Sequence, residues 1–425
     1  MGIVELTLFG IPLILISAIF LGFFSAYGVG ANDVANAMGT SVGSKVLTVK
    51  QAILIAAVFE FLGAFLAGGG VTDTIRKGVI DQEQFAGNLD IFIYGMISAL
   101  FASGVWLLIA SLRGWPVSTT HTIVGAIVGF GIYSLGMDKI NWPVVGNIGL
   151  SWITSPLSSA LVAGIFYYIC KEFIIKKQSK YEAFIVNFYI FLAGFAIALI
   201  TVTKGLKNIF KEQGFDPAFS DSVMISAIAA LVFTLIFYLF FRVKFQNTNH
   251  NPEAQFAYLM VFTSCAVAFA HGSNDVANAI GPLAAVNQAT SQLLNEPSSL
   301  IDSSSPTPLW ILFLGAAGIV VGLATLGYRV MKTIGEKIVT LSPSKGFSAQ
   351  LAAALTVVIA SQLNMPVSTT HTLVGAVIGI GLVEGINSIN LKSVQTIVMS
   401  WIITLPAGAI LSVIFLEIFM NLFTY

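Results

Sequence analysis

The sequence predicts an all-α polytopic membrane protein made of two inverted-topology repeats, with broken helices, re-entrant hairpins and roughly ten to twelve transmembrane segments. Three observations carry this expectation. Hydrophobic residues make up 56% of the 425 residues, charged residues 9%, and mean hydropathy is +0.88, so a water-soluble globule could not hide the apolar surface. One ten-residue phrase occurs twice within apolar sequence, as Gly30-Ala-Asn-Asp-Val-Ala-Asn-Ala-Met-Gly39 and Gly272-Ser-Asn-Asp-Val-Ala-Asn-Ala-Ile-Gly281. A second phrase, Pro116-Val-Ser-Thr-Thr-His-Thr122 and Pro366-Val-Ser-Thr-Thr-His-Thr372, follows downstream in each half. Carboxylates are costly in lipid and mark ion or substrate pathways, so a duplicated pair points to a transporter with internal repeats.

Apolar stretches of about 20 residues, enough to cross the hydrocarbon core, begin near Ile3, Ala52, Ile91, Val144, Ala183, Val223, Gln255, Leu309, Leu351 and Val394. The first is followed by no convincing cleavage site and is expected to stay in the mature chain. Repeat 1 is assigned to residues 1–170 and repeat 2 to residues 255–425, each holding half of the ion and anion site. Residues 171–254 form a linking transmembrane scaffold. The first phrases are 242 residues apart and the second 250, so repeat 2 carries eight extra residues, which the Ser/Pro-rich run from Asn287 to Pro308 would absorb as a loop. Zero formal net charge argues against a nucleic-acid partner. Cys170 and Cys265 lack metal-ligand spacing and read as inert core thiols.

Both second phrases lie between apolar arms separated by a short polar turn, which suits a re-entrant hairpin whose tip reaches mid-membrane. Irregular backbone at that depth needs enclosure by protein or a cavity. With hairpins that dip and return, the crossings between the two first helices are odd in number, and the repeats are inverted. Charge agrees: if the loop from Lys171 to Glu182 is cytoplasmic, the inner loops hold 13 of the 20 Lys and Arg residues. Both termini then face outward, in a multi-pass protein of the cell membrane.

Helical spacing places Asn32 and Asn36 on one face with Asp33 beside them, and likewise Asn274, Asn278 and Asp275. A carboxylate, side-chain amides and unwound backbone carbonyls suit a hard cation such as sodium. The neighbouring glycines, Gly28, Gly30 and Gly272, are expected to permit a break in the helix that frees those carbonyls. Capping at a kink is the plainer account, yet a cap does not require two asparagines and an acid twice over. In the second phrases Ser118, Thr119, Thr120, Ser368, Thr369 and Thr370 stand where a helix begins, so their hydroxyls join unpaired N–H groups that already favour an anion. A tetrahedral oxyanion suits that donor supply, although one hydroxyl of each triplet can serve as an N-cap.

His121 and His371 are read as fixing the tips by a hydrogen bond rather than as proton carriers. Glu60 has no acidic counterpart in repeat 2, where Leu312 occupies the similar place, and coupling and structural pairing remain open for it. Two or three buried negative charges face only Arg113, so an anion should enter with two or more cations.

These phrases resemble the PiT family of inorganic phosphate transporters, whose hallmark is a duplicated Gly-x-Asn-Asp-Val-Ala-Asn-Ala phrase, here from Gly30 and from Gly272. The likeness spans the chain. It implies inverted repeats, re-entrant hairpins and secondary active import of phosphate by alternating access, driven by sodium or, in some bacterial members, by protons. It also implies that Asp33, Asn36, Asp275 and Asn278 serve the ion and phosphate sites, and that the Ser-Thr-Thr triplets hold phosphate. Asn32 and Asn274 join the two acids as the sodium ligands, and Asn36 and Asn278 join the triplets around phosphate. The expected partners are inorganic phosphate, sodium or protons, and the bilayer, with a homodimer left open. No cofactor is expected beyond the transported ions. A proton-coupled phosphate or sulfate permease is the alternative. An anion channel would not explain two buried acids, and an enzyme would not need its site duplicated.

Overall fold

The computed structural model describes residues 7–8, 11–69, 82–85, 87–176, 181–205, 218–245, 251–295, 307–362 and 367–423. A short antiparallel ladder, β1 (Thr7–Leu8) with β2 (Ile11–Pro12), precedes thirteen α-helices among the described residues. In repeat 1 these are α1 (Leu13–Gly43), α2 (Val49–Ala67), α3 (Leu89–Arg113), α4 (Thr119–Leu135) and α5 (Trp142–Ile169). The linking pair is α6 (Glu182–Ile200) and α7 (Phe219–Lys244). Then follow α8 (Pro252–Asn295), α9 (Leu309–Thr325), α10 (Gly327–Glu336), α11 (Pro343–Gln362), α12 (Thr369–Glu384) and α13 (Leu391–Phe423). Among the described residues eight helices are long and apolar enough to cross a membrane, and the pair α9 and α10, bent by 63°, makes a ninth. The chain is a multi-pass membrane protein.

The element boundaries have local causes. α1 begins at Leu13, where Pro12 supplies no N–H and disfavours helix in the residue before it, and Ile3, where the apolar stretch begins, lies outside the described residues. α2 opens on a capping box, in which the Thr48 N–H donates to Gln51 Oε1 (2.9 Å) and the Gln51 N–H donates to Thr48 Oγ1 (3.3 Å). α3 stops at Gly114, whose φ of 67° turns the chain toward α4. Of the run expected as a loop from Asn287, the part up to Asn295 continues α8, and residues 296–306 lie outside the described residues.

Both first phrases run through unbroken helix, which corrects the expected break at the neighbouring glycines. The glycines serve close approach instead. A Cβ on Gly30 would stand 2.0 Å from the Ile319 carbonyl oxygen, and one on Gly272 would stand 2.1 Å from that of Glu60. Thus α1 crosses α9, and α8 crosses α2, with backbones in contact. The breaks fall elsewhere, at the bend between α9 and α10 and at the turn that precedes α4, while residues 363–366, ahead of α12, lie outside the described residues.

The second phrases head α4 and α12, and these short helices exchange partners between halves. α4 packs on α13, where Gly129 lies against the Ala409 backbone, and α12 packs on α5, where Gly379 lies against the Ala160 carbonyl. Each hairpin therefore rests on the last helix of the other half. The linking helices α6 and α7 pack on each other, and α6 joins α8 and α11 through a cluster that includes Tyr189, Phe256 and Phe347.

Candidate functional site

Asp33 and Asn36 lie three residues apart on α1, so both reach the same side, and Asn36 donates to Asp33 Oδ1 (3.3 Å). The same pairing recurs on α8, where Asn278 donates to Asp275 Oδ1 (3.3 Å). The two hairpin tips close over these pairs. Thr119 donates to Asp33 Oδ2 (2.7 Å) and accepts from Asn278 (3.2 Å), while Thr369 donates to Asp275 Oδ2 (3.5 Å) and accepts from Asn36 (3.3 Å). Thr120 accepts from Asn278 (3.1 Å) and Thr370 from Asn36 (2.9 Å). Each acid thus holds the threonine of its own half, and each amide holds the pair from the other half. The result is one polar centre assembled from both copies.

The tips touch directly. The rings of His121 and His371 meet edge-on at 4.7 Å, with Trp152 against the first (4.4 Å) and Trp401 stacked on the second (3.8 Å). Ring packing holds the tips together, and the Nδ1 atom of each histidine has no hydrogen-bond partner among the described residues. Ser118 and Ser368 accept the N–H of His121 (3.2 Å) and His371 (3.3 Å) and are the N-caps of α4 and α12. They stand behind the centre, whereas the four threonines face it.

Asn32 and Asn274 part company. Asn32 turns to the first hairpin's turn, donating to the Trp115 carbonyl (2.9 Å) and accepting the Val117 N–H (3.1 Å). Asn274 donates to Asp275 Oδ1 (3.0 Å) and lines a cavity of about 60 Å³ together with Asn36, His271 and Thr369. Arg113 is exposed at the end of α3 with its guanidinium over the Trp115 ring (4.8 Å), outside the polar centre.

The base within the centre is His271, a residue the motif reading missed. Its Nε2 lies 2.6 Å from Asp275 Oδ2 and 4.0 Å from Asp33 Oδ2, and its Nδ1 lies 3.8 Å from Glu60 Oε1. Glu60 is fully buried, and neither of its carboxylate oxygens has a hydrogen-bond partner among the described residues. The signal was in the repeat itself. At the spacing of the first phrases His271 answers Val29, just as Glu60 answers Leu312, so both departures from the repeat sit at one helix crossing and face each other. Ligand atoms of Asp33, His271 and Asp275 lie within 4.8 Å of one another, and the Asn36 carbonyl oxygen beside them is buried without a donor among the described residues. Such a set of oxygens can take up a cation, and the surrounding O–H and N–H groups can take up an anion.

The profile of the phosphate transporter family matches residues 29–412. The chain is 45% identical to a provisionally named phosphate permease of Haemophilus influenzae, over 98% of each chain. It is 38% identical to the chloroplastic inorganic phosphate transporter 2-1 of Arabidopsis thaliana, over 96% of this chain and 73% of the plant protein. Among solved structures it resembles a sodium-dependent phosphate transporter, with a TM-score of 0.84 and 38% identity over 96% of this chain and 99% of the other.

Proposed function

Because the chain belongs to the phosphate transporter family, we propose that it imports inorganic phosphate together with cations, sodium first among them, by alternating access. It is a transporter and not an enzyme. The observation that carries the coupled mechanism is the hydroxyl arrangement at the polar centre. A hydroxyl has one proton to donate, and those of Thr119 and Thr369 are directed at Asp33 and Asp275. A cation seated between the carboxylates and the Asn36 carbonyl oxygen would satisfy the acids, so the threonines could turn to an anion. Cation before anion is the order this chemistry favours. Three carboxylates near one imidazole also make anion binding without cations unfavourable in a low-dielectric core.

The solved relative's description as sodium-dependent supports sodium as the coupling ion. One observation favours proton coupling as the second reading. His271 touches all three acids and could carry the neutralising proton itself. Uptake of labelled phosphate into proteoliposomes with sodium and pH gradients imposed separately distinguishes the two. A sodium gradient alone should drive accumulation and a pH gradient alone should not. The reverse result would exchange the readings.

Inversion of the repeats is part of the same proposal and has its own test. The 3-10 turns Met137–Lys139 and Ile386–Ser388 occupy equivalent places after α4 and α12. Single cysteines at the exposed positions Asp138 and Asn387, in a background without Cys170 and Cys265, should label from outside and from the cytoplasm respectively. Labelling from one side would remove the inverted arrangement. Ser179, in the loop from Lys171 to Glu182, and Ser303, in the run from Asn287 to Pro308, would suit the same test by sequence but lie outside the described residues.

A further inference from the structure

Asn32 and Asn274 are the same letter of a duplicated phrase, yet their side chains meet different groups. The Asn32 amide is committed to the first hairpin: Oδ1 accepts the Val117 N–H (3.1 Å), and Nδ2 donates to the Trp115 carbonyl (2.9 Å) and to Ser111 Oγ (3.3 Å). These three partners bracket the left-handed turn at Gly114, and Thr119 follows two residues after Val117. A primary amide offers two donors and two acceptor sites, and here three of the four are used on the turn. The neighbouring Asp33 receives the Thr119 hydroxyl (2.7 Å). Adjacent residues of α1 therefore hold the turn and the tip of one hairpin.

In repeat 2 the equivalent backbone donor, the N–H of Val367, makes no bond to Asn274 among the described residues. Asn274 is only partly buried, shares one donor with Asp275 Oδ1 (3.0 Å), and borders the cavity beside His271 and Thr369. We propose that the two asparagines have divided labour: Asn32 is a positioning residue that sets the first hairpin tip so that Thr119 can serve the anion, and Asn274 is an anion-facing donor in the cavity. This rests on the phosphate reading of the polar centre.

A double-mutant cycle in phosphate half-saturation, at saturating cation, tests it. Asn32→Ala and Thr119→Val should each raise the half-saturation about tenfold. The double variant should be no worse than the larger single one, because both changes remove the same placed hydroxyl. A residue needed only for folding would lower the amount of active protein and leave the half-saturation in place. Asn274→Ala should also cost about tenfold, and with Thr119→Val the two factors should multiply to about a hundredfold. Asn32→Ser, which keeps one polar oxygen, repeats the cycle if the alanine variant does not fold. Multiplying effects for Asn32 and Thr119, a silent Asn274→Ala, or failure of both Asn32 variants to give folded protein would each overturn the division of labour. A silent Thr119→Val alone would remove the hydroxyl that Asn32 is proposed to place and so end the proposal, whereas silence of both Thr119→Val and Thr369→Val, with no arsenate competition in the parent, would bring down the phosphate reading beneath it.

Discussion

Asp33→Asn and Asp275→Asn should each abolish coupled phosphate uptake while leaving a folded, membrane-inserted protein. Each change keeps the side chain's shape and removes its charge. The cost is larger than the loss of a single bond, because the new amide nitrogen must face groups that already donate. At position 33 these are Thr119 and Asn36, and at position 275 they are Thr369, Asn278 and Asn274. Removing one partner of a buried charged pair costs about 3 to 5 kcal/mol, or a factor of more than about a hundred in binding. Asp275→Asn should be the more severe, since its carboxylate lies 2.6 Å from His271 while that of Asp33 lies 4.0 Å away. Initial rates in proteoliposomes, normalised to reconstituted protein, provide the measurement. A variant that still concentrates phosphate at near the parent rate would end the assignment of its carboxylate.

The centre was legible in sequence to the extent that it repeats. Asp33, Asn36, Thr119 and their counterparts stand at fixed spacing in two copies, and duplication makes a buried polar residue visible without any contact map. What the repeat could not show was pairing across halves. The same three-residue step that joins Asn36 to Asp33 leaves nothing to reveal that Asn36 also holds Thr369 and Thr370, more than 330 residues away. The bonds of Asn32 to the hairpin were hidden for a related reason. Its four-residue spacing from Asn36 puts both on one helical stripe, but the hairpin turn reaches α1 from one side and takes the first amide for itself. The glycines were read as hinge residues because their absent Cβ serves flexible and close-packed backbones equally well, and only the approach of Ile319 and Glu60 decides between them. His271 escaped notice because attention to what is duplicated passes over what is not. Its contact with Glu60, another ionisable residue without a counterpart in the other half, shows that departures from a repeat carry information as well.

Thr119→Val and Thr369→Val, which keep shape and β-branching while deleting a donor, should each lower phosphate affinity with the fold intact. Both N-caps are serines, Ser118 and Ser368, so neither substitution removes a cap. An oxyanion left short of one donor loses about 1 to 3 kcal/mol, or roughly tenfold to a hundredfold in affinity. The two positions should differ. Thr119 is buried and donates to its acid at 2.7 Å, so its replacement also strips a hydrogen bond from Asp33. Thr369 holds Asp275 only loosely at 3.5 Å and borders the cavity, so its hydroxyl is the freer of the two to meet the anion. Thr369→Val should therefore show the larger loss of phosphate affinity, and Thr119→Val the larger change in cation dependence. Arsenate has nearly the same tetrahedral shape and should compete with phosphate in the parent protein, with competition weakening in parallel in both valine variants. Binding titrations at saturating sodium decide the matter. Unchanged phosphate affinity in both variants, with no arsenate competition in the parent, would remove the anion from the hairpin tips and leave the threonines as braces between two halves of the protein.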